Sequence, residues 1–249
     1  MTKIIAIANQ KGGVGKSTTA AAIAAGLHLA GYKVLTLDLD GQRNITQSMQ
    51  ADAGQFTTLD ILTGRARAGQ AIQQTADSGD IIAASPLLSG SDKELTSPDA
   101  LKRALTPLRG LYDFIILDTP PALGMLTINA FTAADSVIIP AGADAYSLQG
   151  IEDLYSTIQT VRSRSNPELK IAGILLTRYS RRAILSRDLA DIITDTAEAL
   201  QTKVYKTRIR EAIAVKEAQA VKQSIFTYAP KSNPAKDYKS LIDEITKEK

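Results

Sequence analysis

Eight consecutive residues, Lys11-Gly12-Gly13-Val14-Gly15-Lys16-Ser17-Thr18, carry the side chains and the flexibility needed to hold a phosphate chain. Glycines let the backbone turn tightly and aim successive N–H groups at one point. The residues that follow read as a helix, whose N-terminus adds its dipole to such an anion site. Lys16 would reach the β- and γ-phosphates of a nucleotide, and the Ser17 hydroxyl would sit on Mg2+. The general pattern G-x-x-x-x-G-K-[ST] needs a glycine at position 10, where this chain has Gln10. The match therefore runs from Gly15 onward, with Lys11 and Gly12 altering its front. Read as plain turn residues, Gly12, Gly13 and Gly15 would leave Lys16-Ser17-Thr18 unexplained. The candidate nucleotide-binding residues are Gly12, Gly13, Val14, Gly15, Lys16, Ser17 and Thr18.

Two apolar runs end in aspartates. Leu37-Asp38-Leu39-Asp40 sets two carboxylates two residues apart, on one face of an extended strand. Ile115-Ile116-Leu117-Asp118-Thr119-Pro120-Pro121 sets an aspartate after an apolar run. This is the Walker B arrangement and suits a water-mediated Mg2+ contact. The Pro-Pro pair stiffens the loop behind it. Ser17, Asp40 and Asp118 are the candidate metal residues. For Asp40 the alternative is capping a turn before Gln42.

These residues need a scaffold that brings strand ends together. Residues 3–8, 33–38, 79–83, 113–117, 136–139 and 170–176 read as strands, most of them apolar on both faces. Helical stretches fall at 17–30, around 57–63, 98–108, 122–133 and 147–163, at 183–200, and from Pro234 onward. Alternation at this spacing predicts an α/β fold, a three-layer, mostly parallel twisted sheet with helices on both faces. The strand C-terminal edge is where the loop and the aspartates would meet. In 183–200, Ile184, Leu185, Leu189, Ile192, Ile193, Ala197 and Leu200 share one face, as in a surface helix. Segment 64–80 has the weakest signal for order. His28 reads as a core or boundary residue without chemistry. The 249 residues are expected to form a single ATPase domain, 1–249.

Composition removes several chemistries. There is no cysteine and only one histidine, which excludes thiolate sites, disulfides and His-based triads. No apolar run approaches the roughly 18 residues of a membrane span, and the opening MTKIIAIANQ has no secretory pattern. A cytoplasmic protein is expected. The formal charge is +3, unevenly spread. Residues 1–161 hold 11 basic and 15 acidic groups, whereas 162–222 hold 13 basic and 7 acidic. A positive region on an acidic body points to a phosphate-bearing polymer.

A phosphate loop with a second lysine at its start resembles the deviant Walker A motif of the ParA/Soj and MinD partition and cell-division ATPases. The resemblance spans nearly the whole chain, to small members without an N-terminal helix-turn-helix domain. It implies a deviant P-loop NTPase that binds ATP and Mg2+ and hydrolyses ATP. It gives Lys11 a role across the interface of an ATP-bound sandwich dimer, clamping the partner's phosphoryl group. Phosphate binding in its own subunit, or simple solvation, stays open for Lys11. Lys11, Lys16 and Asp40 are thus the candidate catalytic residues. The family's first switch reads D-x-D-P-Q-G-N. It maps its water-orienting aspartate to Asp40 and its nucleotide-side aspartate to Asp38. Here Gly41 replaces the proline and Arg43 the glycine. Gly41 is expected to loosen the loop, and Arg43 to bring a bulky charge near the nucleotide, so both bear on hydrolysis rate.

The resemblance continues through Leu175-Leu176-Thr177-Arg178-Tyr179, where Thr177 lies near the family's adenine site, and through Val204-Tyr205-Lys206-Thr207. It implies that this late surface binds double-stranded DNA nonspecifically in the ATP dimer. The candidates are Arg178, Arg181, Arg182, Lys203, Lys206, Arg208, Arg210, Lys216 and Lys222, acting on backbone phosphates. The implied partners are a second copy, nucleoid DNA and a ParB-like, cargo-bound adaptor that stimulates hydrolysis. The alternative is a MinD-like or cargo-positioning ATPase acting on a protein assembly or membrane. The tail SLIDEITKEK has few bulky apolar residues, so no stable membrane association is expected.

Overall fold

The computed structural model describes residues 1–93, 95–142, 144–180 and 184–247. From the N-terminus come β1 (Lys3–Ile7), α1 (Lys16–Leu29), β2 (Val34–Asp38), α2 (Asn44–Ser48) and α3 (Thr58–Leu62). Next are β3 (Ile72–Gln74), β4 (Asp80–Ile82), a 3-10 stretch at Pro86–Lys93, α4 (Ala100–Leu105) and β5 (Phe114–Asp118). Then follow α5 (Met125–Ala133), β6 (Ser136–Gly142), α6 (Ala145–Arg164), β7 (Lys170–Thr177) and α7 (Ile184–Ala199). The chain continues with α8 (Ile213–Ala220), α9 (Ile225–Tyr228) and α10 (Asn233–Lys247).

The seven strands form one sheet in the order β3-β4-β2-β5-β1-β6-β7. All neighbours are parallel except β3, which runs antiparallel to β4. Strand alternation feeds two cores. Ile4, Ala6, Leu35, Leu37, Ile115 and Leu117 pack on one side. Ile5, Ile7, Val34, Phe114, Ile116 and Ile138 pack on the other, against α1 and α10. A parallel sheet covered on both faces explains the unbroken apolar runs. Gly26, the one glycine within α1, sits where α10 crosses. A Cβ there would lie 2.0 Å from Ile242 Cδ1.

Three sequence expectations change. Segment 64–80 is ordered, with a 3-10 turn at Ala68–Gln70 and the edge strand β3. An edge strand has one neighbour and needs no apolar residues on both faces, so its glutamines hid it. His28 is exposed, because the buried face of α1 is built from its alanines, Ile23 and Leu27. On α7, Leu189, Ile193 and Ala197 are buried but Ile192 is exposed; Ala190 takes its place in the core.

Candidate functional site

β1 lies between β5 and β6, so the loop leaving its C-terminal end opens beside the end of β5. Gly13 (φ +76°) and Gly15 (φ +85°) take left-handed backbone that disfavours other residues. Gly15 precedes α1 without a side-chain cap, and the first turn of α1 has no acid. Its leading N–H groups are therefore available to an anion. Lys16 is buried, and its Nζ donates to the Lys11 carbonyl at 3.2 Å. Burial pushes its ammonium below the usual lysine range, against the charges of Asp118 and Asp40.

A cavity of about 670 Å³ opens here. It is lined by Gly12, Gly13, Gly15, Lys16, Ser17 and Thr18 on one wall, and by Asp40, Gln42, Asn44 and Gln47 on another. Gln219, Ala220 and Lys222, at the end of α8, close a third side. Gln219 Nε2 donates to Thr18 Oγ1 at 2.9 Å.

Asp38 and Asp118 are register partners on β2 and β5. Asp38 is fully buried. Its Oδ1 accepts the Asp40 amide (3.0 Å), and its Oδ2 accepts the Thr46 amide (2.9 Å) and hydroxyl (2.6 Å). Burial pushes its pKa up to about 6 despite these bonds. Asp40 lines the cavity and spends Oδ1 on the Gln42 amide at 3.0 Å, the turn-capping bond that its sequence allowed. Gly41 is not loose. Its φ is not positive, and a Cβ there would lie 2.1 Å from Ser89 Oγ and 2.6 Å from Ser89 N. Glycine serves close approach here. Arg43 (φ +59°) precedes α2, and the cavity wall in this region is made by Asp40, Gln42 and Asn44.

Asp118 is fully buried, and neither carboxylate oxygen has a hydrogen-bond partner among the described residues. Burial, reinforced by the charge of Asp38, holds its carboxyl well above the usual range. The Ser17 hydroxyl is near enough to oppose that shift but falls outside hydrogen-bond geometry. An orphaned buried carboxylate beside a hydroxyl and a phosphate cradle fits Mg2+. This ion takes one or two protein carboxylates and keeps waters and substrate oxygens for the rest. No cluster of three or more His, Cys, Asp or Glu able to hold a metal occurs among the described residues. Asp118→Asn should therefore raise the Tm of the nucleotide-free protein at pH 8, because it removes a carboxyl whose ionised form burial and Asp38 disfavour more than Lys16 favours it. The same change should shrink the further rise brought by Mg-ATP. Ligand at 100 times its Kd adds about 2.7 kcal/mol, roughly 5–10 °C at this size. Scanning fluorimetry reads both; a lower nucleotide-free Tm in the variant contradicts this account of Asp118.

Lys11 Nζ pairs with Asp144 of its own chain, and the Lys11 amide donates to Asn9 Oδ1 at 2.9 Å. Asn9 is buried, and its Nδ2 bonds the Pro140 carbonyl at 2.7 Å, fixing the start of the loop to β6. Asp144 also accepts the Ser147 amide at 3.1 Å, at the start of α6. Burial would raise the Asp144 carboxyl, but Lys11 and Ser147 together hold it below the usual range. Thr177 is buried at the end of β7, with its hydroxyl on the Val14 carbonyl (2.8 Å) and near that of Ala141 (3.2 Å).

The basic residues of the last third separate by environment. Arg178 reaches the Gly13 carbonyl and Glu211, each at 3.5 Å. Arg208 stacks on the Tyr179 ring and donates to its hydroxyl at 2.6 Å. Arg210 forks onto Asp237, with contacts of 2.9 and 2.6 Å. All three have partners within the chain, and Arg178 and Arg210 remain exposed at the surface. Lys203 lies over Tyr205. Lys206, Lys216 and Lys222 are exposed, Lys222 at the cavity itself. Arg181 and Arg182 lie outside the described residues. Asn9, Thr46, Asp144 and Gln219 escaped the sequence reading. Only Asn9, a polar residue directly after an apolar strand and two before Lys11, carried a local signal.

Residues 2–171 match a family model described as an AAA domain. The chain is similar to the sporulation initiation inhibitor protein Soj of Bacillus subtilis, 40% identical over 98% of both chains. It is also similar to the chromosome partitioning protein ParA of Caulobacter vibrioides, 36% identical over 98% of this chain and 93% of the other. Among solved structures, one described as cobyrinic acid a,c-diamide synthase from Mycobacterium smegmatis, with bound ADP and magnesium, superposes with a TM-score of 0.83. It is 33% identical and matches over 99% of this chain and 94% of that one.

Proposed function

Because the chain belongs to the ParA/Soj/MinD family of P-loop ATPases, we propose that it segregates DNA as an ATP-bound sandwich dimer held on nonspecific duplex DNA. It is an ATP-hydrolysing, partitioning-type enzyme, and its family binds ATP and Mg2+. The observation that carries the finer reading is Lys11. The chain sets a second lysine at the front of an uncapped phosphate cradle, with its ammonium on Asp144 rather than inside its own cavity wall. A lysine so placed can serve a nucleotide held by a facing copy.

In this reading Gly12, Gly13, Val14, Gly15, Lys16, Ser17 and Thr18 hold the phosphates, and Thr177 braces the loop near the base. Ser17, Asp40 and Asp118 would hold Mg2+, directly or through water, and the ion would supply charge neutralisation to the phosphates. Lys16 balances charge on the transferring phosphoryl group from its own subunit, and Lys11 balances it from across the dimer. Asp40 orients the attacking water, which leaves ADP and phosphate without a covalent intermediate. Asp38 fixes Asp40 through its amide. Lys206, Lys216 and Lys222 meet DNA phosphates, and a ParB-like adaptor on the cargo stimulates hydrolysis and release. The protein then works in the cytoplasm on the nucleoid, with 1–249 as one ATPase domain.

The MinD-like reading on a membrane finds less support. No helix among the described residues is long and apolar enough to cross a membrane. The apolar face of α10, with Tyr238, Leu241, Ile242 and Ile245, is buried in the core and is not available to lipid.

Light scattering tests the dimer. With ADP the particle should have the 26.6 kDa of one chain, and with Mg2+ and a slowly hydrolysed ATP analogue twice that. A protein that binds the analogue and stays monomeric at all concentrations would overturn the sandwich reading.

A further inference from the structure

The loop that carries Asp40 rests on a stretch of chain to which no function has been attached. Ala84 N donates to Thr46 Oγ1 at 2.9 Å, and that same hydroxyl donates to Asp38 at 2.6 Å. Five residues on, Ser89 abuts Gly41. The stretch is well anchored. Leu88 is buried in the core, its amide donates to the Ser85 carbonyl at 3.1 Å, and its carbonyl accepts the Ser91 hydroxyl at 3.0 Å. Ser89 itself is exposed and stands between these anchored neighbours. Its Oγ lies 2.1 Å from where a residue-41 Cβ would stand, and its amide nitrogen 2.6 Å. Residue 41 here has neither a proline ring to set φ nor a side chain to wedge the loop. Asp38, held by Thr46, and Gly41, against Ser89, flank Asp40 along the chain instead.

We infer that Ser89 is a positioning residue for ATP hydrolysis: through its close contact with Gly41 it sets where the Asp40 carboxylate stands. This rests on the reading that Asp40 acts beside the reacting phosphate. A misplacement near 1 Å at such a position can cost about 100-fold in rate while leaving ground-state contacts intact. Gly12, Gly13, Gly15, Lys16, Ser17 and Thr18 line the cavity and Ser89 does not, so nucleotide affinity is governed by other residues.

Steady-state ATPase assays and binding of a fluorescent ATP analogue, on the full chain, separate the two effects. Gly41→Ala should lower kcat by about tenfold or more with analogue affinity held within about threefold. Ser89→Gly, which adds no atoms, should lower kcat by about threefold or more, again without loss of affinity. In the double variant the Oγ contact is gone but the residue-89 amide nitrogen still stands 2.6 Å from the added Cβ, so Gly41→Ala should lower kcat on the Ser89→Gly background as well. Melting curves verify folding, and Ser89→Gly decides alone if Gly41→Ala does not fold. An unchanged kcat in Ser89→Gly overturns the inference. Asp40→Ala is the reference. If it keeps the wild-type kcat, the reading of Asp40 fails and the role of Ser89 falls with it; if it loses kcat while Ser89→Gly does not, Ser89 alone is refuted.

Discussion

Lys11→Ala should lower DNA- or partner-stimulated ATP hydrolysis by about 10³-fold, the scale of a charge clamp supplied in trans. ATP affinity of the isolated chain should change less than about threefold, a difference of well under 1 kcal/mol. The asymmetry follows from where the side chain is. Lys11 Nζ is committed to Asp144 in its own subunit, while Lys16 stands in the cavity wall. Removing Lys11 leaves the phosphate cradle intact and takes away only what it contributes to a facing nucleotide. Its peptide carbonyl, which accepts Lys16 Nζ, survives the substitution. Stopped-flow binding of a fluorescent ATP analogue and phosphate-release assays measure the two quantities separately. A Lys11→Ala chain that no longer binds ATP as a monomer would instead place the lysine on its own subunit's phosphates.

Lys16→Ala should fail differently, losing affinity and rate together. Lys16 touches the ground state as well as the transition state, so its removal costs binding first. The loss in kcat should be about 10²–10³-fold, the range for deleting one preorganised donor at developing charge. Lys16→Arg should not restore activity. A planar guanidinium cannot take the place of a compact ammonium held in a buried slot between the loop carbonyl of Lys11 and the charges of Asp118 and Asp40. Calorimetric titration with Mg-ATP and a phosphate-release assay check both halves. Wild-type affinity in Lys16→Ala would remove the lysine from the cradle.

What the sequence made legible is what lies close together along the chain. The phosphate loop is eight contiguous residues, and Asp118 ends an apolar run, so spacing alone places them. Asp38 and Asp40 follow from strand periodicity. The supports of these groups come from far away: Asp144 lies 133 residues from Lys11, and Ser89 lies 48 from Gly41. No periodicity encodes such contacts. Gly41 is the instructive case. By type it reads as a flexible substitute for proline, but the structure uses its missing side chain, not its freedom, to admit Ser89. The arginines have partners that the sequence does not announce. Charge in a sequence does not say who claims it, and Asp237 claims Arg210 while the Tyr179 ring and hydroxyl claim Arg208. Edge strand β3 was hidden because a half-exposed strand carries a polar pattern.

The most direct test is binding to duplex DNA of arbitrary sequence at 50 and 200 mM salt, without nucleotide, with ADP, with ATP, and with ATP for Lys16→Ala. The account predicts binding only with ATP and wild-type protein. If Lys206, Lys216 and Lys222 of both protomers meet phosphates, affinity should fall by about 10³ between the two salt concentrations. Nucleotide binding with no DNA binding under any of these conditions would contradict it, and would leave an ATPase that acts on a protein assembly.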